Sequence, residues 1–395
     1  MNDIIEYILT WLCYGNADAA QRVAYSADPQ ALETHDVLIV PCGHLGKDIV
    51  LPDMVQPVIE QPQKGKFIIR TDIVYTAFFF ISRAEELINP QRDRHRRFLA
   101  QYSILGQSNR LQTPLLDMYA HALLTCLGEP TPTAEFNRIY LTHDIDSIAQ
   151  YRHLRGAIGG LLRGQWKQVL HSLDDIRQDP LYTFPWMIKQ DATIQNEQWA
   201  MSNGQSPVSV LYFVKRTHGH GYDYPQYNLH GHDYLQLKNI LRVSGARLGV
   251  HGSYYGKLPK ANGQQLIHRS HYLRCSIKQM QRLVNAGYTD DFTMGFAYQA
   301  GFRLQTTRAV QWINPQTMTL TSLTLHPLTV MDNTLNQANY MHLTEDEAFA
   351  LCRQLIAQVR TYHGDLCLLW HNSSFASSTY HTSLYPKILQ LLNGK

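Results

Sequence analysis

Long hydrophobic runs are missing from this 395-residue chain. Apolar stretches such as Ala77-Phe78-Phe79-Phe80-Ile81 are far too short to span a bilayer. An excess of charge of one sign is missing too. Thirty-five basic residues stand against 32 acidic ones, a formal +3, which leaves no electrostatic footprint for nucleic acid. Cysteine is sparse: Cys13, Cys42, Cys126, Cys275, Cys352 and Cys367 are scattered without a C-x-x-C pair. They are expected to be reduced and mostly buried instead of forming a disulfide framework. No repeat of solenoid length and no low-complexity tract occurs. The motifs G-x-S-x-G, G-x-x-x-x-G-K-[ST] and H-E-x-x-H are absent, which weighs against serine hydrolases, P-loop proteins and zincins. Gly156…Gly159-Gly160 does not follow a strand in dinucleotide-binding spacing. The first residues lack a basic leader, and acidic residues interrupt their short apolar stretch. No secretory signal is read there, and a cytoplasmic location is expected.

The chain does have enough apolar residues, 44%, to build a core, which excludes a disordered chain. Its length suits two domains at about 100–200 residues each. The clearest joint is Gly128-Glu129-Pro130-Thr131-Pro132-Thr133, where two prolines and a glycine interrupt helix and strand alike. Before it, Val37-Leu38-Ile39-Val40 and Lys66-Phe67-Ile68-Ile69-Arg70 read as strands, and 72–88 and 115–127 as helices. Residues 1–132 are therefore expected to form a smaller α/β domain and 133–395 a second one. In the second, Arg138-Ile139-Tyr140-Leu141-Thr142, 208–214, 247–250 and 366–370 read as strands, with helical spacing at 277–286 and 345–362. Strand–helix alternation of this kind predicts parallel strands wrapped by helices.

The informative regularity lies at the strand ends. Three apolar strands finish in groups able to bind metal or move protons: Asp144 with Asp146, then His251, then His371. In α/β barrels the active site collects at the carboxyl ends of the strands. Asp144 and Asp146 alternate, so both can face one pocket. Such a pair repels itself unless a cation or an arginine compensates; the bland alternative is a helix-capping Asp146. His251 lies between Gly249 and Gly252 and is either a metal ligand or a turn histidine. Arg269-Ser270-His271-Tyr272-Leu273-Arg274 either pairs with a buried carboxylate such as Asp144 or forms a surface basic patch. His371 directly follows a nearly all-apolar strand, which favours a pocket. Asp290-Asp291-Phe292, Gly301-Phe302-Arg303 and His326…Asp332 are supporting or substrate-contacting candidates. Tyr212 and Tyr222-Asp223-Tyr224…Tyr227 are either stacking surfaces for sugar rings or ordinary packing. Most of the 19 histidines and 23 tyrosines are expected to be packing residues.

Thr142-His143-Asp144-Ile145-Asp146, Arg269-Ser270-His271-Tyr272 and Leu369-Trp370-His371, taken in order, resemble motifs of the polysaccharide deacetylases, carbohydrate esterase family 4. The likeness is nearest to a bacterial branch in which the catalytic domain follows an amino-terminal domain of unknown role; the stretch from Phe80 to Phe98 is similar to that first domain. The resemblance implies a distorted (β/α) barrel, hydrolysis of an N-acetyl amide on a carbohydrate, and a divalent metal, zinc above others. It assigns Asp144 as base, His371 as acid and Arg269 as the residue orienting Asp144. Asp146 and His251 would ligate the metal. The family's second histidine is replaced by Tyr255, and His271, standing where the family has proline, is the candidate third ligand. Tyr272, Asp291, Arg303 and Trp370 are the candidate substrate contacts. Two alternatives stay open: a glycan-binding protein that no longer cleaves, and a hydrolase of another amide or ester.

Overall fold

The structure, a computed structural model, describes residues 1–194, 207–216, 221–225, 227–254, 257–260, 266–376 and 378–393. A small first sheet contains β1 (Val23–Tyr25), β2 (Val37–Ile39), β3 (Ile59–Gln63) and β4 (Lys66–Ile69), in the order β1-β2-β4-β3. Its pairs are parallel except for the antiparallel edge strand β3. Beside it runs the helix Ile73–Ser82, every residue of which is buried. A helix apolar all round is one that is covered on all sides. Asp72 caps it, accepting from the Tyr75 amide at 2.8 Å. It stops at Arg83, which is left-handed with φ 59°. The single helix expected over 72–88 is thus divided, and a short second helix covers Glu85–Ile88.

The second sheet has nine strands, ordered β10-β11-β9-β8-β7-β6-β5-β13-β12. They are β5 (Arg138–Ile145), β6 (Val208–Lys215), β7 (Arg247–Gly252), β8 (Leu266–Ser270), β9 (Tyr288–Met294), β10 (Val310–Asn314), β11 (Thr319–Pro327), β12 (Val330–Met331) and β13 (Asp365–Leu369). All neighbours are parallel except the β10–β11 hairpin. Helices such as His232–Val243, Ile277–Asn285 and Glu345–Thr361 fill the crossovers. The sheet curls and its ends meet. β11 pairs with β9 and the chain then continues into β12, which pairs with β13. Between them, Leu328 N donates to Met294 O and Thr329 N to Cys367 O, both at 3.0 Å. The architecture is α/β, a distorted barrel of parallel strands with helices outside and a smaller α/β sheet before it.

Side-chain parity sorts the barrel into two layers. Ile139, Leu141, Val210, Tyr212, Leu368 and Trp370 belong to the outer core under the helices. Leu211, Phe213, Phe292, Cys367 and Leu369 fill the barrel interior. A further core joins the first sheet's helices to the β10–β11 hairpin, through Ile8, Phe79, Leu115, Trp312 and Leu323 among others. The six cysteines are free, five of them buried and Cys42 exposed. Among the described residues no helix is long and apolar enough to cross a membrane.

Candidate active site

The barrel interior opens at the carboxyl ends of the strands into a cavity of about 890 Å³ whose lining includes Asp144, Asp146, His271, Tyr272 and His371. β5 delivers Asp144 at its end, with Asp146 just beyond; β7 carries His251; His271 and His371 follow β8 and β13. The close approach of β7 depends on Gly249, where a Cβ would meet the Phe213 ring at 2.7 Å.

Asp146, His251 and His271 each offer one ligand atom, and these atoms lie within 4.8 Å of one another. Asp146 Oδ1 is 3.3 Å from His251 Nε2 and 3.2 Å from His271 Nε2. Asp146 Oδ1 and His251 Nε2 are buried, and neither makes a hydrogen bond of acceptable geometry. Both imidazoles have Nδ1 occupied elsewhere: His251 with Arg269 O at 3.1 Å, His271 with Asp223 Oδ1 at 2.7 Å. A histidine that donates Nδ1–H to a carbonyl or carboxylate presents its Nε2 lone pair to a metal. The cluster could therefore hold a metal ion, with two nitrogens and one oxygen as donors. Burial depresses the pKa of His251, opposed in part by Asp144, and a neutral imidazole is the form that ligates. Burial opposes the charge of His271 as well, but Asp146 and Asp223 outweigh it and raise its pKa to about 9. Burial pushes the Asp146 carboxyl up, and the two imidazoles overcome that and hold it well below its usual range.

Beside this cluster, Asp144 meets Arg269, whose Nη1 donates to Asp144 Oδ1 at 3.2 Å and to Thr142 Oγ1 at 2.7 Å. Arg269 is fully buried; its Nε donates to Phe292 O and its guanidinium lies 4.5 Å over the Phe213 ring. Asp144 Oδ2 is 3.8 Å from His251 Nε2 and 3.9 Å from His371 Nε2. Asp332 orients His371: Oδ1 pairs with Nδ1 at 2.8 Å, and Oδ2 accepts from the His371 amide at 2.6 Å. Burial works against a charged His371, yet Asp332, Asp146 and Asp144 together raise its pKa to about 10.

Of the candidate substrate contacts, only Tyr272 lines the cavity. It has φ 62° and is followed by Leu273 at 52°, a left-handed pair that non-glycine residues adopt only where the surroundings enforce it. Asp291 is buried on the outer face of β9, bonded to His268 Nδ1 at 2.7 Å. Trp370 is buried in the outer core. Arg303 lies under the first sheet's helices, paired with Glu86 at 2.8 Å. Tyr212 is buried against His143 and is not a stacking surface. Tyr255 lies outside the described residues.

Sequence reasoning missed the contribution of segment 92–97. Arg92, Asp93, Arg94, His95 and Arg97 line the same cavity. His95 stacks on Tyr272 with ring centroids 4.8 Å apart, and Arg97 Nη1 donates to Tyr272 O at 3.4 Å. The left-handed turn at Tyr272 is braced from the amino-terminal part of the chain. Glu86 anchors this segment, pairing with Arg83 at 2.6 Å, Arg303 at 2.8 Å and Arg92 at 3.5 Å.

Fold and site together define a barrel protein with an Asp-His-His cluster, able to hold a metal, at the carboxyl ends of its strands. Residues 11–132 match a family of unknown function, DUF7033. No curated protein matches the chain. Among solved structures, the chain is similar to a Mycobacterium smegmatis protein described as a "putative polysaccharide deacetylase". The identity is 13% and the TM-score 0.40, over 67% of this chain and 87% of that one.

Proposed function

We propose that this protein is a metal-dependent hydrolase that removes an acetyl group from the nitrogen of a carbohydrate, with residues 133–395 as the catalytic domain. One observation carries the reading: one cavity is lined by an arginine-paired carboxylate, Asp144, a carboxylate-held imidazole, His371, and Asp146 and His271, which with the buried His251 could hold a metal ion. Those are the parts that amide hydrolysis needs, and the order of the motifs carrying them resembles the polysaccharide deacetylases.

Asp146, His251 and His271 would hold the ion, which we take to be zinc. A bound divalent ion would polarise the acetyl carbonyl and lower the pKa of water. Asp144 takes the proton of the attacking water, with Arg269 fixing its orientation and balancing its charge. His371, kept protonated by Asp332, gives a proton to the nitrogen as the C–N bond breaks. Water is thereby divided between the products, acetate and a free amine. The backbone of the Tyr272 turn helps hold the oxyanion. The loss of the family's second histidine does not disarm the site, because His271 brings a third donor to Asp146 and His251.

The test is acetate release from N-acetylglucosamine oligomers by the full chain after loading with zinc. Release of acetate with matching free amine supports the reading. Glycan binding without acetate release by the wild type would overturn it in favour of a binding protein.

A further inference from the structure

Between β5 and β6 the chain forms a helical hairpin, Leu154–Leu162 followed by Trp166–Asp174. The two helices pack closely through Gly160, where a Cβ would meet Val169 at 2.6 Å and Tyr151 at 2.8 Å. Arg152 fastens the hairpin, donating to the carbonyls of Ser172 and Leu173 and to Asp233. One outward face of each helix is apolar. Leu154, Ile158, Leu161 and Leu162 recur at helical spacing on one face of the first helix, with Leu154 74% and Leu162 83% exposed. Trp166, Leu170 and Leu173 do the same on the second helix, each at least half exposed. Inward-facing positions of these helices are taken by Gly160, Val169 and Ser172. The outward leucines are therefore not surplus core. Helices of soluble proteins turn such a face inward, and seven large apolar side chains exposed within twenty residues form a patch that calls for a partner.

The charge around the patch identifies that partner. From 151 to 173 the sequence contains Arg152, Arg155, Arg163 and Lys167 and no Asp or Glu; one acidic residue, Asp174, closes the second helix. Arg152 is spent on the fold, whereas Arg155, Arg163 and Lys167 make no ion pair among the described residues. Arg155 lies 4.6 Å over the Tyr224 ring and Lys167 5.3 Å over Trp166. Apolar side chains facing outward, an exposed tryptophan among them and unpaired cations at the margin are the composition of a helix lying in a bilayer interface. We propose that this hairpin docks the protein on an anionic lipid surface. Tyr224, which packs on Arg155, shares its loop with Tyr222, and Tyr222 contacts the cavity residue Tyr272 with centroids 5.8 Å apart. These contacts run from the hairpin to a residue of the cavity lining.

The test is co-sedimentation of the full chain with vesicles of phosphatidylcholine alone and with about one lipid in three replaced by phosphatidylglycerol. The protein should bind the anionic vesicles, release as salt rises, and show quenching by brominated lipid that disappears in Trp166→Phe. Replacing Arg155, Arg163 and Lys167 by Gln should weaken partitioning about a hundredfold, each cation contributing about fivefold. Leu161→Asp with Leu162→Asp should abolish binding while leaving the melting temperature and metal content unchanged, since neither side chain packs in the core. Failure of the wild type to bind anionic vesicles would overturn the proposal. So would a dimer that these two substitutions dissociate, which would show that a second copy covers the face. Neither readout depends on catalysis, so an inactive enzyme leaves the test intact.

Discussion

Asp223→Asn isolates the contribution of one hydrogen bond to the candidate metal site. Asp223 is fully buried, and its Oδ1 lies 2.7 Å from Nδ1 of His271. This contact fixes the imidazole so that Nε2 faces Asp146 and His251. Both carboxylate oxygens also accept from the Tyr254 amide, at 2.8 and 2.9 Å, so an asparagine of equal size keeps one oxygen for that amide and the loop stays in place. What is lost is a charge-assisted bond from a histidine proposed as a ligand. Removing such a partner typically weakens metal affinity about 10- to 100-fold, which is about 1.4 to 2.7 kcal/mol. Charge-assisted hydrogen bonds contribute about 1.5–3 kcal/mol, the same range. The assay is zinc affinity by competition with a chromogenic chelator, with circular dichroism to verify the fold. A folded Asp223→Asn variant that binds zinc as tightly as the wild type would refute the assignment of His271 as a ligand held by Asp223.

The two residues proposed to move protons separate from the candidate metal site. Asp144→Asn and His371→Gln should each lower acetate release by about 10²–10⁴ while zinc content stays near that of the wild type. If either variant kept full activity, the role given to that residue would be wrong. Glu86→Gln leaves the Arg83 and Arg303 guanidiniums buried without their carboxylate. It should cost about 3–5 kcal/mol in urea unfolding, and a change under about 1 kcal/mol would contradict the anchoring role. Glu86 has a depressed pKa because Arg83 and Arg303 outweigh the effect of burial. Its contribution is therefore present above the pKa of the unfolded chain and fades as pH falls through the lower folded value, a dependence the variant should lack.

The barrel was legible because parallel strands buried on both faces read as nearly continuous apolar runs, and the polar residue ending each run marks the cavity. Asp144, Asp146, His251 and His371 are singled out that way. Parity along the strands would also have removed two candidates. Trp370 precedes His371 and so faces the outer helices, while Asp291 precedes the interior Phe292 and so faces outward beside His268. The carboxylates that orient the histidines were harder to find. Asp223 lies 48 positions from His271, and Asp332 lies 39 from His371, with nothing local to pair them. The bracing of Tyr272 by His95 and Arg97 spans still longer separations. Charges such as Arg94 and Arg97 look like a solvated face until the fold brings them to the cavity. The unbroken reading of 72–88 as one helix failed at Arg83, whose left-handed backbone has no glycine or proline to announce it.

Elemental analysis of the purified full chain, beside Asp146→Ala and His271→Ala, tests the central claim most directly. The account predicts a near-stoichiometric divalent ion in the wild type and its loss in both variants. A wild type that retains no ion after loading with zinc, cobalt, nickel or manganese, or variants that hold the ion as well as the wild type does, would contradict it.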